Sequence, residues 1–271
     1  MESIFAWTII ISGLVGGIVA PILTRKKIKS SVAHAIGWVG WFFFTVAASS
    51  FVISFVIIAV GGEEILKNTI FATTSQALTY LIMFGFMILL PWRQWLGRRK
   101  KGQSKKKGAR RFILKISGLS RKPTLNDVKQ FLSFFPLYFV TNIAVSVVMT
   151  LIVGAKIMGQ EQNVGFANTG NTPLELVLIG LALVVLAPLF EEMLVRGALF
   201  GKLREKLKFW PAALLTASVF ALIHGQFNVG VMTFILALYA AYLREKTGAI
   251  WSGIMLHATQ NLIAFYLLFL N

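Results

Sequence analysis

Three short polar clusters interrupt the apolar C-terminal part of the chain, with the sequences EEMLVR, FALIH and HATQN. Ionisable side chains within apolar segments long enough to cross a membrane are costly and default to a functional interpretation. The clusters therefore supply the candidate site residues: Glu191, Glu192, Arg196, Phe220, His224, His257 and Asn261.

The first cluster contains two carboxylates and one guanidinium. On a helix, Glu192 and Arg196 are four residues apart and about 40° apart in azimuth, so they can form an ion pair. Glu191 is about 140° from Arg196 and cannot easily share that partner. The spacing predicts one neutralised and one free carboxylate, and a free carboxylate can act as a general base. The alternative is a single interfacial ion-pair cluster of all three side chains.

The second cluster ends in a histidine whose expected depth matches that of Glu191. Glu191 lies about sixteen residues before the turn near Leu207, and His224 about sixteen residues after it. At about 1.5 Å per residue, both would stand roughly 24 Å from that turn. Antiparallel neighbouring helices would then bring the two side chains level. The alternative is that His224 is a structural residue at the end of a helix.

The third cluster places His257 and Asn261 four residues apart, so they share one helix face near the middle of the last apolar segment. The alternative is a pair that only joins helices by hydrogen bonds.

Taken with the other clusters, these residues allow two kinds of hydrolysis. Glu191, His224 and His257 could hold one divalent metal such as zinc, with a position open for water.

The other kind of hydrolysis needs no metal. Glu191 and His224 would activate water, and His257 and Asn261 would stabilise an oxyanion. The sequence contains neither G-x-S-x-G nor H-E-x-x-H, so the local signatures of serine hydrolases and ordinary zinc proteases are missing. It contains no cysteine, which excludes a thiol nucleophile.

The elements that must position these residues are membrane-spanning helices. Hydrophobic residues make up 56% of the 271-residue chain and charged residues only 14%, where a soluble domain would carry about a quarter. Continuous apolar stretches near twenty residues favour helices that cross the bilayer. The fold class expected is an all-α polytopic membrane protein with about eight spans, at 5–23, 32–60, 69–91, 128–157, 174–203, 210–225, 229–243 and 248–270.

The basic residues predict the orientation of these spans. All of the 27 except Lys67 and Lys156 lie in or beside alternate connections. The positive-inside rule then places both termini outside and the basic connections in the cytoplasm. The net charge of +17 is interpreted as this signal, with anionic lipids rather than nucleic acid as partners of the basic loop. The domains expected are a three-span segment (1–92), a basic cytoplasmic loop (93–127) and a five-span catalytic core (128–271).

In this order, and on separate spans, the three clusters resemble the EExxxR, FxxxH and HxxxN motifs of the CPBP intramembrane proteases. This family, also called Abi, includes the type II CAAX prenyl endopeptidases, and the resemblance covers roughly residues 174–264. It implies that Glu191 and His224 activate water. It also implies that His257 and Asn261 form the oxyanion site.

The same resemblance assigns structural support to Glu192, Arg196 and Phe220. The function expected is an intramembrane endopeptidase of a bacterial plasma membrane, acting on a peptide or membrane protein, of CAAX type or in bacteriocin processing. Two alternatives are a non-proteolytic scaffold or bacteriocin-immunity protein of the same fold, and an ion-coupled carrier. A scaffold is free to lose Glu191 or His224, and a carrier would spread polar residues along a path, so the complete motifs favour the protease.

Overall fold

The computed structural model describes residues 2–25, 28–62, 65, 68–96, 105–160 and 172–270, with the backbone alone for residues 2–8 and 105–107. Regular secondary structure in these residues is helical, and no strand occurs among them. The helices are α1 (Glu2–Leu23), α2 (Ser31–Val60), α3 (Thr69–Leu96), α4 (Lys105–Ile116), α5 (Leu125–Val153), α6 (Ala155–Met158), α7 (Pro173–Leu203), α8 (Phe209–Leu222), α9 (Phe227–Thr247) and α10 (Trp251–Phe269).

Helices α2, α3, α5, α7, α9 and α10 are long and apolar enough to cross a membrane. Two shorter apolar helices, at Ile9–Leu23 within α1 and at Phe209–Leu222, occupy the remaining positions predicted for spans. The prediction of an all-α polytopic membrane protein is therefore confirmed, and the protein is integral to the membrane. The external placement of both termini stays a prediction.

Several boundaries differ from those expected. Helix α5 ends at Val153 because Gly154 adopts a φ of 92°, a left-handed conformation that glycine adopts without steric cost. The basic loop is partly helical, since α3 continues to Leu96 and α4 lies within the loop. Phe112 of α4 packs against Trp92 and Trp95, with ring centroids 5.4 and 5.6 Å apart. The division of the chain into 1–92, 93–127 and 128–271 stays a prediction.

Helix α7 occupies the centre of the bundle and carries the first polar cluster. Every residue from 192 to 200 is buried. Small residues let its neighbours approach closely, because α8 buries Ala213 and Ala217 and α9 buries Ala237 and Ala241. A helix buried on all sides can hold polar side chains only where the adjacent helices supply partners. The partners of the α7 glutamates therefore define the site.

Candidate active site

Helix α7 changes its winding on both sides of the two glutamates. Leu181–Leu186 and Met193–Leu199 are π-helical, whereas Ala187–Glu192 between them is α-helical. Pro188 lies in the first turn of the α-helical segment, where its missing N–H group interrupts the hydrogen-bond ladder. Single π-helical turns within α-helices are frequent at functional sites. Here they flank the α-helical segment that carries Glu191 and Glu192.

Glu192 and Arg196 form the ion pair that their spacing predicts. The Glu192 Oε1 atom is 3.1 Å from Arg196 Nη1, and the two side chains are 0% and 1% exposed. The contact is an ion pair rather than an aligned hydrogen bond, because Arg196 Nη1 has no hydrogen-bond partner in the described residues. The guanidinium lies over the Phe220 ring, 4.6 Å from its centroid, which is a cation–π arrangement. Phe220, for which a structural role is expected, thus contacts Arg196.

His257 of α10 lies between the two carboxylates. Its Nδ1 is 3.3 Å from Glu192 Oε1, and its Nε2 is 3.7 Å from Glu191 Oε2. The ring is 3% exposed and stands edge-on to Phe220 at 5.9 Å. His257 therefore links the buried ion pair to the second carboxylate. The histidine expected beside Glu191 was His224, so the structure gives Glu191 a different neighbour.

Glu191 is the carboxylate that remains accessible, with its side chain 18% exposed. Its Oε1 accepts a hydrogen bond of 2.6 Å from the hydroxyl of Tyr80 on α3. The Tyr80 ring stacks on Phe190 with an interplanar angle of 3°, which fixes the direction of the phenol. The sequence interpretation missed Tyr80. The available signal was the run of polar residues in this part of α3, which includes Gln76 and Thr79.

His224 does not contact Glu191 through any hydrogen bond or ion pair among the described residues. Its Nδ1 lies 2.7 Å from the Phe220 carbonyl oxygen, and its ring meets Phe220 edge-on at 4.8 Å. The depth argument assumed that the helix continues through His224. Helix α8 instead ends at Leu222, and Gly225 has a φ of 71°. His224 therefore lies in a turn, where a rise of 1.5 Å per residue no longer applies.

Asn261 connects α10 to the irregular part of α7. Its Nδ2 donates a hydrogen bond of 2.8 Å to the carbonyl oxygen of Leu183, within the first π-helical segment. Buried backbone carbonyls that leave the regular ladder require such partners. The amide thus stabilises the winding of α7 one helical segment before Glu191, and the oxyanion role of Asn261 stays a prediction.

The described residues contain no group of three His, Asp or Glu side chains that could hold a metal ion. The predicted set of Glu191, His224 and His257 is therefore not assembled as a three-ligand site, because His224 turns toward the Phe220 carbonyl. A divalent metal such as zinc stays a prediction, and no step proposed below passes through one.

Together these contacts form a continuous series from a buried ion pair to an accessible carboxylate. Arg196 neutralises Glu192, Glu192 orients His257, and the other ring nitrogen of His257 faces Glu191. Tyr80 holds the opposite oxygen of Glu191. A pre-oriented carboxylate beside an imidazole is suited to moving a proton to or from a reacting group.

Comparison with known proteins relates the region that contains the three polar clusters to membrane peptidases. Residues 173–263 match the family described as type II CAAX prenyl endopeptidase Rce1-like. The chain is also similar to the putative membrane peptidase YdiL of Bacillus subtilis (strain 168), with 29% identity over 77 residues. That alignment covers 28% of this chain and 32% of the relative, so the chain spans about a third of the length of YdiL. No solved structure matches the chain. The resemblance to the type II CAAX prenyl endopeptidases is therefore confirmed for residues 173–263, which contain all three polar clusters.

Proposed function

We propose that this protein is an intramembrane endopeptidase that hydrolyses a peptide bond with water activated at Glu191. The observation that carries the proposal is the difference between two adjacent carboxylates. Glu192 is fully buried and paired with Arg196, whereas Glu191 is partly exposed and held by a neutral phenol. Only Glu191 is both accessible to water and free of a fixed cation.

In the proposed reaction, Glu191 accepts a proton from water as the water oxygen attacks the peptide carbonyl. The C–N bond of the tetrahedral intermediate then breaks, and the same carboxyl group returns the proton to the departing amine. His257 directs Nδ1 toward Glu192 and so presents Nε2 on the reacting side. Because the Glu192 carboxylate can only accept, Nδ1 carries the proton of a neutral His257 ring, and Nε2 carries one as well only in the imidazolium form. In that form the Nε2–H group would stabilise the oxyanion, which is the role expected for this residue.

His224 is proposed to assist the same proton transfer when a substrate is bound. A carbonyl oxygen can only accept, so the contact with Phe220 places the proton of a neutral His224 ring on Nδ1. Its Nε2 is then an acceptor. The proposed substrate class is a peptide or membrane protein, with CAAX-type and bacteriocin-processing substrates as the two alternatives.

Substitution of the two histidines tests the proposal and the metal question together. His257→Ala should lower kcat about 10²–10³-fold, the usual loss for one oxyanion donor, and Asn261→Ala should lower it less because Asn261 contacts backbone only. Purified protein in proteoliposomes is assayed with a fluorogenic peptide library, with and without a chelator. A metal mechanism instead predicts that the chelator inactivates the protein and that His224→Ala and His257→Ala are equally severe. Full activity of His257→Ala would refute the proposed site.

Substitution of Tyr80 gives a second test of the proposed role of Glu191. Tyr80 lies outside residues 173–263, which match the family, so this test is independent of the family's motifs. A hydrogen bond to a charged group contributes about 1.5–3 kcal/mol, so Tyr80→Phe should reduce kcat at least about tenfold with little change in KM. Tyr266→Phe is the matched control, since Tyr266 is 54% exposed on α10. Equal kcat values for the two variants would show that Tyr80 does not position Glu191.

A further inference from the structure

A large cavity lies away from the glutamates, where the end of α3 and the amphipathic helix α4 meet α7 and α9. Its volume is about 740 Å³, within the range of about 300–1,000 Å³ that is usual for ligand pockets. The α7 wall consists of small residues, Gly197, Ala198 and Gly201. A Cβ atom added to Gly201 would find nothing within 4 Å, so the wall leaves open space at this position, whereas Gly197 packs against the backbone of Ser117.

Basic side chains from three helices converge on this cavity. They are Arg111 and Lys115 of α4, Lys202 of α7 and Arg244 of α9, and the single carboxylate in the lining is Glu205. Glu205 already pairs with Lys202 at 2.7 Å. The lining therefore carries a clear excess of positive charge at one place.

Three of these cations form no close ion pair in the described part of the chain, although Glu245 interacts electrostatically with Arg244. Neither a hydrogen bond nor an ion pair engages Arg111, Lys115 or the guanidinium of Arg244, and Arg244 Nε is buried without a partner. The carboxylate next in sequence, Glu245, is occupied by Arg204 at 2.5 Å. Leaving a partly buried guanidinium unsatisfied is costly, so the cavity is suited to an anion with several acceptor oxygens, as in a phosphate group.

The surroundings favour a phosphate that belongs to a lipid. An apolar groove of about 460 Å³ borders the same two helices, α3 and α4, and its lining includes Ile82, Phe86, Leu89 and Ile113. Trp92 also lines the groove, and Trp95 lines the cavity. Tryptophan residues are enriched at the level of lipid headgroups. A basic cavity and an apolar groove on the same pair of helices match the headgroup and the acyl chain of one amphiphile.

We propose that this cavity binds the phosphate headgroup of an anionic phospholipid, whose acyl chain follows the groove between α3 and α4. Arg111, Lys115 and Arg244 bind the phosphate oxygens, and Gly201 leaves the room for them. The lipid thereby joins α4 to the basic end of α7. This proposal does not depend on proteolysis, because it concerns a different part of the molecule.

Binding is measured by native mass spectrometry of the full-length protein in detergent, titrated with dioleoyl phosphatidylglycerol or dioleoyl phosphatidylcholine. One phosphatidylglycerol molecule should bind at least about tenfold more tightly than phosphatidylcholine. The double substitution Arg111→Gln/Arg244→Gln should remove most of this preference. The control Arg110→Gln/Lys208→Gln removes the same charge from exposed positions outside the cavity and should leave it unchanged.

A variant that changes space instead of charge gives an independent measurement. Gly201→Leu should fill the cavity and weaken phosphatidylglycerol binding although no charge is lost, and thermal unfolding without lipid checks that the variant folds. An equal loss of phosphatidylglycerol binding in Arg111→Gln/Arg244→Gln and in Arg110→Gln/Lys208→Gln would overturn the proposal, since it would indicate diffuse attraction to a basic surface. Competition with inorganic phosphate distinguishes a lipid headgroup from free phosphate as the ligand. Displacement of the lipid by equimolar phosphate would identify free phosphate as the ligand and overturn the assignment to a lipid.

Discussion

Glu191→Gln should abolish peptide cleavage while the protein remains folded. The carboxamide keeps the size of the side chain, and its oxygen can still accept the Tyr80 hydrogen bond seen at 2.6 Å. What it loses is the ability to take a proton from water, a contribution of about 10²–10⁴-fold in rate. The measurement is kcat in proteoliposomes, with thermal unfolding of the same preparation.

Glu192→Gln is the matched control, because it makes the same chemical change one residue along α7. Its charge serves Arg196 and orients His257, so this variant should lose thermal stability more than Glu191→Gln does. Wild-type kcat in Glu191→Gln would exclude Glu191 as the base. Loss of cleavage together with full biological activity in a cell would instead favour a scaffold function.

Arg196→Ala should sharply reduce the yield of folded protein. Arg196 is 1% exposed and is the ion-pair partner of Glu192, which is 0% exposed. Removing one member of a buried pair typically costs about 3–5 kcal/mol, because the other charge is left uncompensated. The truncation also removes the guanidinium from the Phe220 ring. The expected results are a lower melting temperature and lower recovery after extraction from the membrane.

The double substitution Glu192→Gln/Arg196→Met separates the stranded charge from the lost packing. With neither charge present, the unpaired carboxylate disappears while much of the side-chain volume is kept, so stability should recover relative to Arg196→Ala. A wild-type melting temperature for Arg196→Ala would contradict the buried pairing. Failure of the double variant to improve on it would assign the effect to packing.

The parts of this structure that were predictable depend on short-range geometry or on the bilayer. Apolar stretches of span length must be helical because lipid offers no partners to backbone groups, which is why the all-α fold follows from sequence. The pairing of Glu192 with Arg196 follows from helical periodicity, because both residues lie on one helix. Neither inference needs the arrangement of one helix relative to another.

The partners of Glu191 depend on that arrangement. Whether His224 or His257 lies beside Glu191 depends on where α8 ends. This helix ends at Leu222, whereas hydropathy alone extends it to residue 225. Tyr80 is 111 positions from Glu191, and no periodic pattern relates residues so far apart. The π-helical turns of α7 could not be predicted from the sequence either, because no residue type indicates them as strictly as glycine indicates a positive φ.

The hydrogen bond from Tyr80 bears on how this protein can be divided and recombined. The matched region begins at residue 173, yet the group that holds Glu191 comes from α3. Residues 173–263 alone therefore lack the hydroxyl group that donates a hydrogen bond to Glu191. A chimaera that joins them to a foreign set of N-terminal helices keeps Glu191, Glu192, His224 and His257 but needs another hydrogen-bond donor for Glu191. The region of sequence similarity therefore does not contain every residue that contacts Glu191.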